Sequence, residues 1–307
     1  MNSPPDPAAS PSGVRKILVV GAGIMGSGVA AVAAQRGLDV HLYDVRQEFL
    51  DRGLSSIRAA LEGAVAKGRI PPKGKEAALE RIRPTLELSS APPVDLVLEA
   101  APEKLELKRE IFRRLDPLHP APAILATNTS SLSVTSIASV VADPGRVVGI
   151  HFFNPVPSMP LVEIIGGFHT SPETRARSEA FARELGKTVT RSRDSPGFVT
   201  TRSMAVLVNE AAWMLYEGVA SREDIDTAHK LGFHHPMGPL ELADLVGLDT
   251  CLAVLERLYT GFQDPKYRVC PLLVNMVEAG RLGRKSGEGF YPYPRSPSSG
   301  NGGGSHG

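Results

Sequence analysis

At 307 residues the chain can hold one large domain or two ordinary ones. Its 42% apolar and 22% charged residues fit a soluble globular protein, and a net charge of +1 gives no global field that argues for nucleic acid or an anionic membrane as partner. The two cysteines, Cys251 and Cys270, exclude a disulfide framework and fit a reducing, cytoplasmic setting; neither stands in a metal-ligand spacing. No apolar run approaches the ~20 residues needed to span a bilayer.

Residues 1–13 are rich in Pro, Ser and Ala, with no apolar h-region and no Arg-rich amphipathic pattern, so they read as a disordered tail rather than a targeting segment. The first element is the β-prone run Lys16–Val20, which leads straight into Gly21-Ala22-Gly23-Ile24-Met25-Gly26. An Ala-rich helical stretch, Ser27–Arg36, follows, and after Gly37 a second strand-like run, Val40–Tyr43, ends at Asp44. Strand, tight turn, helix and strand with a terminal carboxylate make a dinucleotide-binding unit. Gly21 permits the turn, Gly23 lets the backbone approach a pyrophosphate, Gly26 lets the helix lie against the sheet, and the helix N-terminus offers its N–H groups. Residues Gly21, Ala22, Gly23, Ile24, Met25 and Gly26 are therefore expected to hold the pyrophosphate. Asp44, 23 residues after Gly21, is expected on the adenosine ribose. A carboxylate there repels a 2′-phosphate, so NAD is expected over NADP; Arg46 reads as a solvated loop residue.

Glu48–Arg83 has helical period broken by Gly63, Gly68 and Pro71-Pro72, the pattern of a helical hairpin. Further strand-length runs occur at Leu96–Glu99, Ala123–Ala126, Val147–Ile150 and Leu161–Ile165 with helical stretches between several of them, which predicts a mostly parallel α/β sheet covered on both faces. The pattern changes near Asp194-Ser195-Pro196-Gly197-Phe198. Beyond it only helical segments follow: Thr201–Gly218, Ser221–Leu231, Pro239–Leu245, Asp249–Thr260 and Pro271–Ala279. Ser221 with Asp224 reads as a helix start, and Gly218 and Gly280 as stops. The expected organisation is a Rossmann-like domain over 14–195, an all-α domain over 196–293, and a Ser/Gly-rich tail over 294–307.

Two segments follow strands where a substrate site is expected: Thr127-Asn128-Thr129-Ser130-Ser131 and His151-Phe152-Phe153-Asn154-Pro155. Alcohol oxidation needs a base for the hydroxyl proton, and imidazole has the proton affinity for it. Glu163 lies in the apolar run Leu161-Val162-Glu163-Ile164-Ile165, where a carboxylate is costly unless partnered. A turn through Asn154-Pro155-Val156-Pro157 could return the chain and set Glu163 against His151, fixing the tautomer and supporting the imidazolium. On the residues alone, a surface or satisfied core histidine is the more common reading.

The ordered set Gly-Ala-Gly-Ile-Met-Gly, Asn-Thr-Ser-Ser-Leu, His-Phe-Phe-Asn-Pro, Leu-Val-Glu-Ile-Ile, Pro-Gly-Phe, His-Pro-Met-Gly-Pro and Gly-Arg-Lys-Ser-Gly-Glu-Gly-Phe-Tyr resembles the L-3-hydroxyacyl-CoA dehydrogenases, nearest their bacterial 3-hydroxybutyryl-CoA members, from about Val14 to Tyr293. The resemblance implies NAD-dependent oxidation of a short-chain (3S)-3-hydroxyacyl-CoA, or its reverse. His151 would be the base and Glu163 its partner. Ser130 would touch substrate and cofactor, and Asn154, Glu103, Lys108 and Lys285 would contact the cofactor. Lys67 would hold CoA phosphates, and the all-α domain would form a homodimer. Three departures stand out. Thr201 replaces an asparagine that helps hold the substrate, Gly63 stands where relatives often carry a lysine, and the pair His234-His235 has no further ligand to complete a metal site. Other readings are a dehydrogenase of a free 3-hydroxyacid such as a sugar acid, and a weakly active NAD-binding protein.

Overall fold

The computed structural model describes residues 10–293, and the chain divides into two compact units between Phe198 and Val199. The first unit is built on one eight-stranded sheet: β1 (Lys16–Val20), β2 (Asp39–Tyr43), β3 (Ile82–Thr85), β4 (Leu96–Glu99), β5 (Ile124–Thr127), β6 (Val147–Phe152), β7 (Leu161–Gly166) and β8 (Thr188–Arg193). Their order is β3-β2-β1-β4-β5-β6-β7-β8, and every neighbouring pair is parallel except the antiparallel β6 and β7. The helices of this unit are α1 (Ile24–Gln35), α2 (Gln47–Ala66), α3 (Pro72–Glu80), α4 (Leu105–Leu118), α5 (Val134–Ala138) and α6 (Pro172–Glu184).

Alternation along the strands explains the layering. Ile17 and Val19 face a core shared with α1, α2, α3 and α6, while Leu18 and Val20 face a second core shared with α4 and α5. Both faces are covered, so the central strands are apolar on both sides, and this is why they read as continuous apolar runs. The strand order steps outward in both directions from β1, with β2 on one side and β4 on the other. That is the switch point at which α/β sheets bind ligands beyond their carboxyl ends.

Two strands lie where no strand was expected. Ile82 and Arg83, read as the end of the helical hairpin, instead begin β3, because α3 stops at Glu80 and Pro84 is tolerable at a sheet edge. The opposite edge, β8, has the sequence TVTRSR with an exposed face that carries little apolar signal. Within the expected N-terminal tail, Ser10 and Ser12 are held by Glu184, whose Oε2 accepts the Ser12 hydroxyl at 2.6 Å. Residues 1–9 of that tail and residues 294–307 lie outside the described range.

The second unit consists of α7 (Thr200–Tyr216), α8 (Arg222–Gly232), α9 (Pro239–Val246), α10 (Leu248–Phe262) and α11 (Pro271–Glu278) around a core that includes Ala205, Val208, Leu240, Leu255 and Leu273. Ser221 caps α8 by accepting the Asp224 N–H at 3.1 Å. Asp226 accepts the Leu240 and Glu241 N–H groups at the start of α9, and Asp244 accepts those of Phe290 and Tyr291. These buried carboxylates tie the loop segments to the helices. Among the described residues no helix is long and apolar enough to cross a membrane.

Candidate active site

The site begins at the end of β1. Gly21 has φ 106°, and a Cβ there would stand 2.8 Å from the Ala100 carbonyl oxygen. At Gly26 a Cβ would stand 1.8 Å from the Gly21 oxygen, so α1 reaches the turn only without a side chain. Gly23 is different: no protein atom lies within 4 Å of its Cβ position, which leaves the backbone open to a ligand. The first turn of α1 has no side-chain cap, so its N–H groups and the positive end of the helix dipole face that space. Asp44 closes β2, with Oδ2 accepting the Ala22 N–H and Oδ1 the Val45 N–H, both at 2.7 Å. Ile24 and Val45 leave apolar side chains exposed, a surface suited to an aromatic base. Arg46 pairs with exposed Glu48 at 3.4 Å, as a solvated loop residue does. These residues fit a dinucleotide, with the diphosphate at Gly21–Gly26 and the ribose at Asp44.

The carboxyl ends of β4 and β5 carry a polar network. Glu99, the last residue of β4, is fully buried; its Oε1 takes the Lys108 ammonium at 2.7 Å and the Ala101 N–H at 2.6 Å, and its Oε2 takes the Thr127 hydroxyl at 2.7 Å. Glu103 reaches the turn after β5, where its Oε1 accepts the Thr129 hydroxyl at 2.6 Å and the Ser130 N–H at 3.0 Å. Asn128 links this turn to β6 by accepting the Phe152 N–H at 2.8 Å. Glu99 was not among the expected site residues, and Asn128 was expected only as a member of its polar segment, with no role of its own. Glu99 had a signal akin to that of Glu163: it closes an apolar run, where Glu163 stands inside one.

His151 and Glu163 are cross-strand partners in the antiparallel β6–β7 pair. The turn between the strands sets this register, and side chains directly opposite meet on one face. His151 Nδ1 lies 2.9 Å from Glu163 Oε2, with 7% of the histidine and none of the glutamate exposed. A carboxylate accepts only, so Nδ1 carries the hydrogen and Nε2 is left with the lone pair. Phe153 lies 4.4 Å from the imidazole, ring centre to ring centre, and Phe198 6.3 Å. The pair can take a proton at Nε2 and hold the resulting cation. Because β6 runs parallel to β5, its carboxyl end shares the sheet edge that carries the glycine turn, Asp44 and Ser130. Asn154, two residues past β6, is exposed.

Lys67 lies at the end of α2 and lines a concavity of about 730 Å³ with Ala60, Gly63, Arg69, Arg36, Lys187 and the segment Pro155–Pro160. Its lining includes four cationic side chains and no carboxylate. Lys187 is buried and donates to the Val156 and Met159 carbonyls at 2.5 and 2.8 Å; burial, and then the nearby Arg36, lower its pKa. Arg36, Arg69 and Lys187 were not expected in the site. They come from three separate segments, and only the fold gathers them. Thr201 and Lys285 belong to the second unit. Thr201 is buried in the first turn of α7, and the Lys285 ammonium pairs with Asp249 at 2.5 Å.

Residues 16–195 match the 3-hydroxyacyl-CoA dehydrogenase NAD-binding domain, and residues 197–293 match the 3-hydroxyacyl-CoA dehydrogenase C-terminal domain. The chain is 49% identical over 280 residues to a 3-hydroxybutyryl-CoA dehydrogenase of Bradyrhizobium diazoefficiens, covering 91% of this chain and 96% of the relative. It is 44% identical over 278 residues to one of Clostridioides difficile, covering 91% and 99%. The crystal structure of an (S)-3-hydroxybutyryl-CoA dehydrogenase from Ralstonia eutropha superimposes with a TM-score of 0.89 at 44% identity, covering 92% of this chain and all of that one. With both family domains matched in order across nearly the whole described chain, the protein belongs to the 3-hydroxyacyl-CoA dehydrogenase family, whose N-terminal domain binds NAD.

Proposed function

We propose that the protein interconverts a short-chain (3S)-3-hydroxyacyl-CoA, such as 3-hydroxybutyryl-CoA, and the 3-oxoacyl-CoA. The observation that carries this reading is the buried His151–Glu163 pair at the carboxyl end of β6, with the 2.9 Å contact that leaves Nε2 free to act as base. NAD, when bound, supplies the hydride acceptor. In oxidation His151 Nε2 takes the 3-hydroxyl proton, and Glu163 stabilises the imidazolium through Nδ1–H. In reduction the same imidazolium returns the proton to the carbonyl oxygen. Ser130 donates to the reacting oxygen, and Asn154 and Glu103 contact the cofactor.

The basic concavity supports a CoA ester over a free hydroxyacid. CoA carries phosphates, and a recess with four cations and no carboxylate is suited to them. Lys67 holds those phosphates, with Arg69 and Arg36 compensating for Gly63. The protein acts as a homodimer through the second unit, which among the described residues carries nine of the thirteen exposed large apolar side chains, Leu231 and Phe233 among them. The two buried free thiols, Cys251 and Cys270, suit a reducing cytoplasm. The test is NADH consumption with acetoacetyl-CoA against free acetoacetate. Turnover of the thioester alone supports the reading; turnover of the free acid alone overturns it.

A further inference from the structure

In the proposed mechanism the Ser130 hydroxyl and His151 Nε2 meet at one reacting oxygen, so the spacing between their two segments has to be held. The backbone register of β5 with β6 runs through Leu125 with Val147 and Ala126 with Val148, and ends at Thr127 with Gly149. Asn128 comes next, and its side chain takes over. Oδ1 accepts the Phe152 N–H at 2.8 Å, and an asparagine carbonyl imitates the backbone carbonyl of a ladder. The backbone N–H of the same residue donates to the Glu99 carbonyl oxygen at 2.7 Å. One residue thus ties together the carboxyl ends of β4, β5 and β6. We infer that Asn128 is a positioning residue that sets the separation of the Ser130 hydroxyl from the His151 imidazole. The inference rests on the proposed reaction and concerns the same site.

Each of the two groups is fixed within its own neighbourhood. His151 is bonded to Glu163 across the β6–β7 pair, and the next residue, Phe152, is 1% exposed in the core that also holds Val148, Ile150 and Val162. These contacts make β6 and β7 one hairpin. Ser130 belongs to the turn after β5, which Glu103 gathers through the Thr129 hydroxyl and the Ser130 N–H. The Asn128–Phe152 bond joins turn to hairpin close to both reacting side chains: Asn128 stands two residues before Ser130, and Phe152 one after His151. A donor and a base that share one oxygen tolerate little drift, since a misplacement of about 1 Å can cost about 10²-fold. Loss of this bond leaves both neighbourhoods intact and frees only their relative position, so a smaller loss of about tenfold is expected, carried by kcat. Aspartate would keep an acceptor oxygen at the place of Oδ1; alanine would leave the Phe152 N–H without it.

The test is a coupling cycle on the full-length protein, read by kcat and KM with acetoacetyl-CoA and by NADH affinity from fluorescence titration. Asn128→Ala should lower kcat about tenfold, with KM and the NADH Kd each within about twofold of the parent. Asn128→Asp should restore kcat to within about threefold. Beside Ser130→Ala no hydroxyl is left to hold in place, so Asn128→Ala should then lower kcat by less than about twofold. An asparagine with a structural role alone would lower the Tm without this dependence on Ser130. The inference is overturned by a kcat within about twofold of the parent in Asn128→Ala, by a tenfold loss that persists in full beside Ser130→Ala, or by a loss that falls on the NADH Kd. If Asn128→Ala does not fold, Asn128→Ser, polar but shorter than asparagine, takes its place under the same criteria. A parent that binds NADH but turns over no acetoacetyl-CoA refutes the proposed reaction instead, so the two failures are distinguishable.

Discussion

Glu163→Gln isolates the electrostatic half of the proposed mechanism. Glutamine has the same shape, and its carbonyl oxygen can still accept the Nδ1 hydrogen across the 2.9 Å contact, so orientation and tautomer are retained. Only the negative charge is lost. An imidazolium and a carboxylate with charge centres about 4 Å apart attract by about 4 kcal/mol at an effective dielectric of 20, the value suited to sites of this kind. The ground state of oxidation has neutral imidazole and gains little from that charge, whereas the transition state has a forming cation and gains most of it. The expected loss in kcat is therefore about 10³-fold, with NADH affinity unchanged. The assay is NADH formation from NAD and (3S)-3-hydroxybutyryl-CoA, the oxidation for which the loss is worked, paired with fluorescence titration of NADH. A variant within about threefold of the parent would show that Glu163 supplies geometry alone, and the electrostatic argument would be refuted.

Three more outcomes follow from the same geometry. Lys67→Ala should raise KM for acetoacetyl-CoA about fivefold at low ionic strength while leaving kcat unchanged, and the difference should shrink with added salt because the side chain is exposed; a salt-independent KM would place the phosphates elsewhere. Gly26→Ala puts a methyl 1.8 Å from the Gly21 oxygen, so NADH binding should be lost and the Tm should fall by about 6 °C; an unperturbed Tm by calorimetry would contradict the close approach of α1 to its turn. His119 is fully buried with neither ring nitrogen hydrogen-bonded, and burial, then Arg146 and His41, push its pKa down from 6.5 to about 4. A folded-state pKa below the unfolded one means that the unfolded chain binds the extra proton between those values, so stability rises with pH across that window and falls on acidification. At pH 5 this one group should cost about 2 kcal/mol relative to neutral pH, and His119→Leu should remove that part of the slope in denaturant titrations.

The parts of the molecule legible in the sequence are those set by local pattern. The β1–α1–β2 unit was readable because apolar runs, glycine spacing and a terminal carboxylate all lie within one short segment. The His151–Glu163 contact was readable because a carboxylate in an apolar strand demands a partner, and a turn rich in proline lies between the two. The edge strands β3 and β8 were not readable. Each is exposed along much of its length, so neither carries the apolar run that marked the central strands, and Pro84 argues against a strand anywhere but an edge. The basic concavity was readable only at Lys67: Arg69 stands two residues on without a signal of its own, and Arg36, after α1, and Lys187, before β8, are brought beside it only by the fold. Lys108 shows a different limit. Its sequence position suggests an exposed cation on a helix, whereas the fold buries it on Glu99, whose own burial depends on β4 lying between two other strands.

The most direct measurement of the central claim is NADH consumption with acetoacetyl-CoA by the parent and by His151→Ala, each first shown by fluorescence to bind NADH. The account predicts steady turnover by the parent and a loss of at least about 10³-fold in the variant at unchanged NADH affinity. A variant that turned over near the parent rate would contradict the assignment of His151 as the base, and a parent that bound NADH but left acetoacetyl-CoA untouched would contradict the proposed reaction.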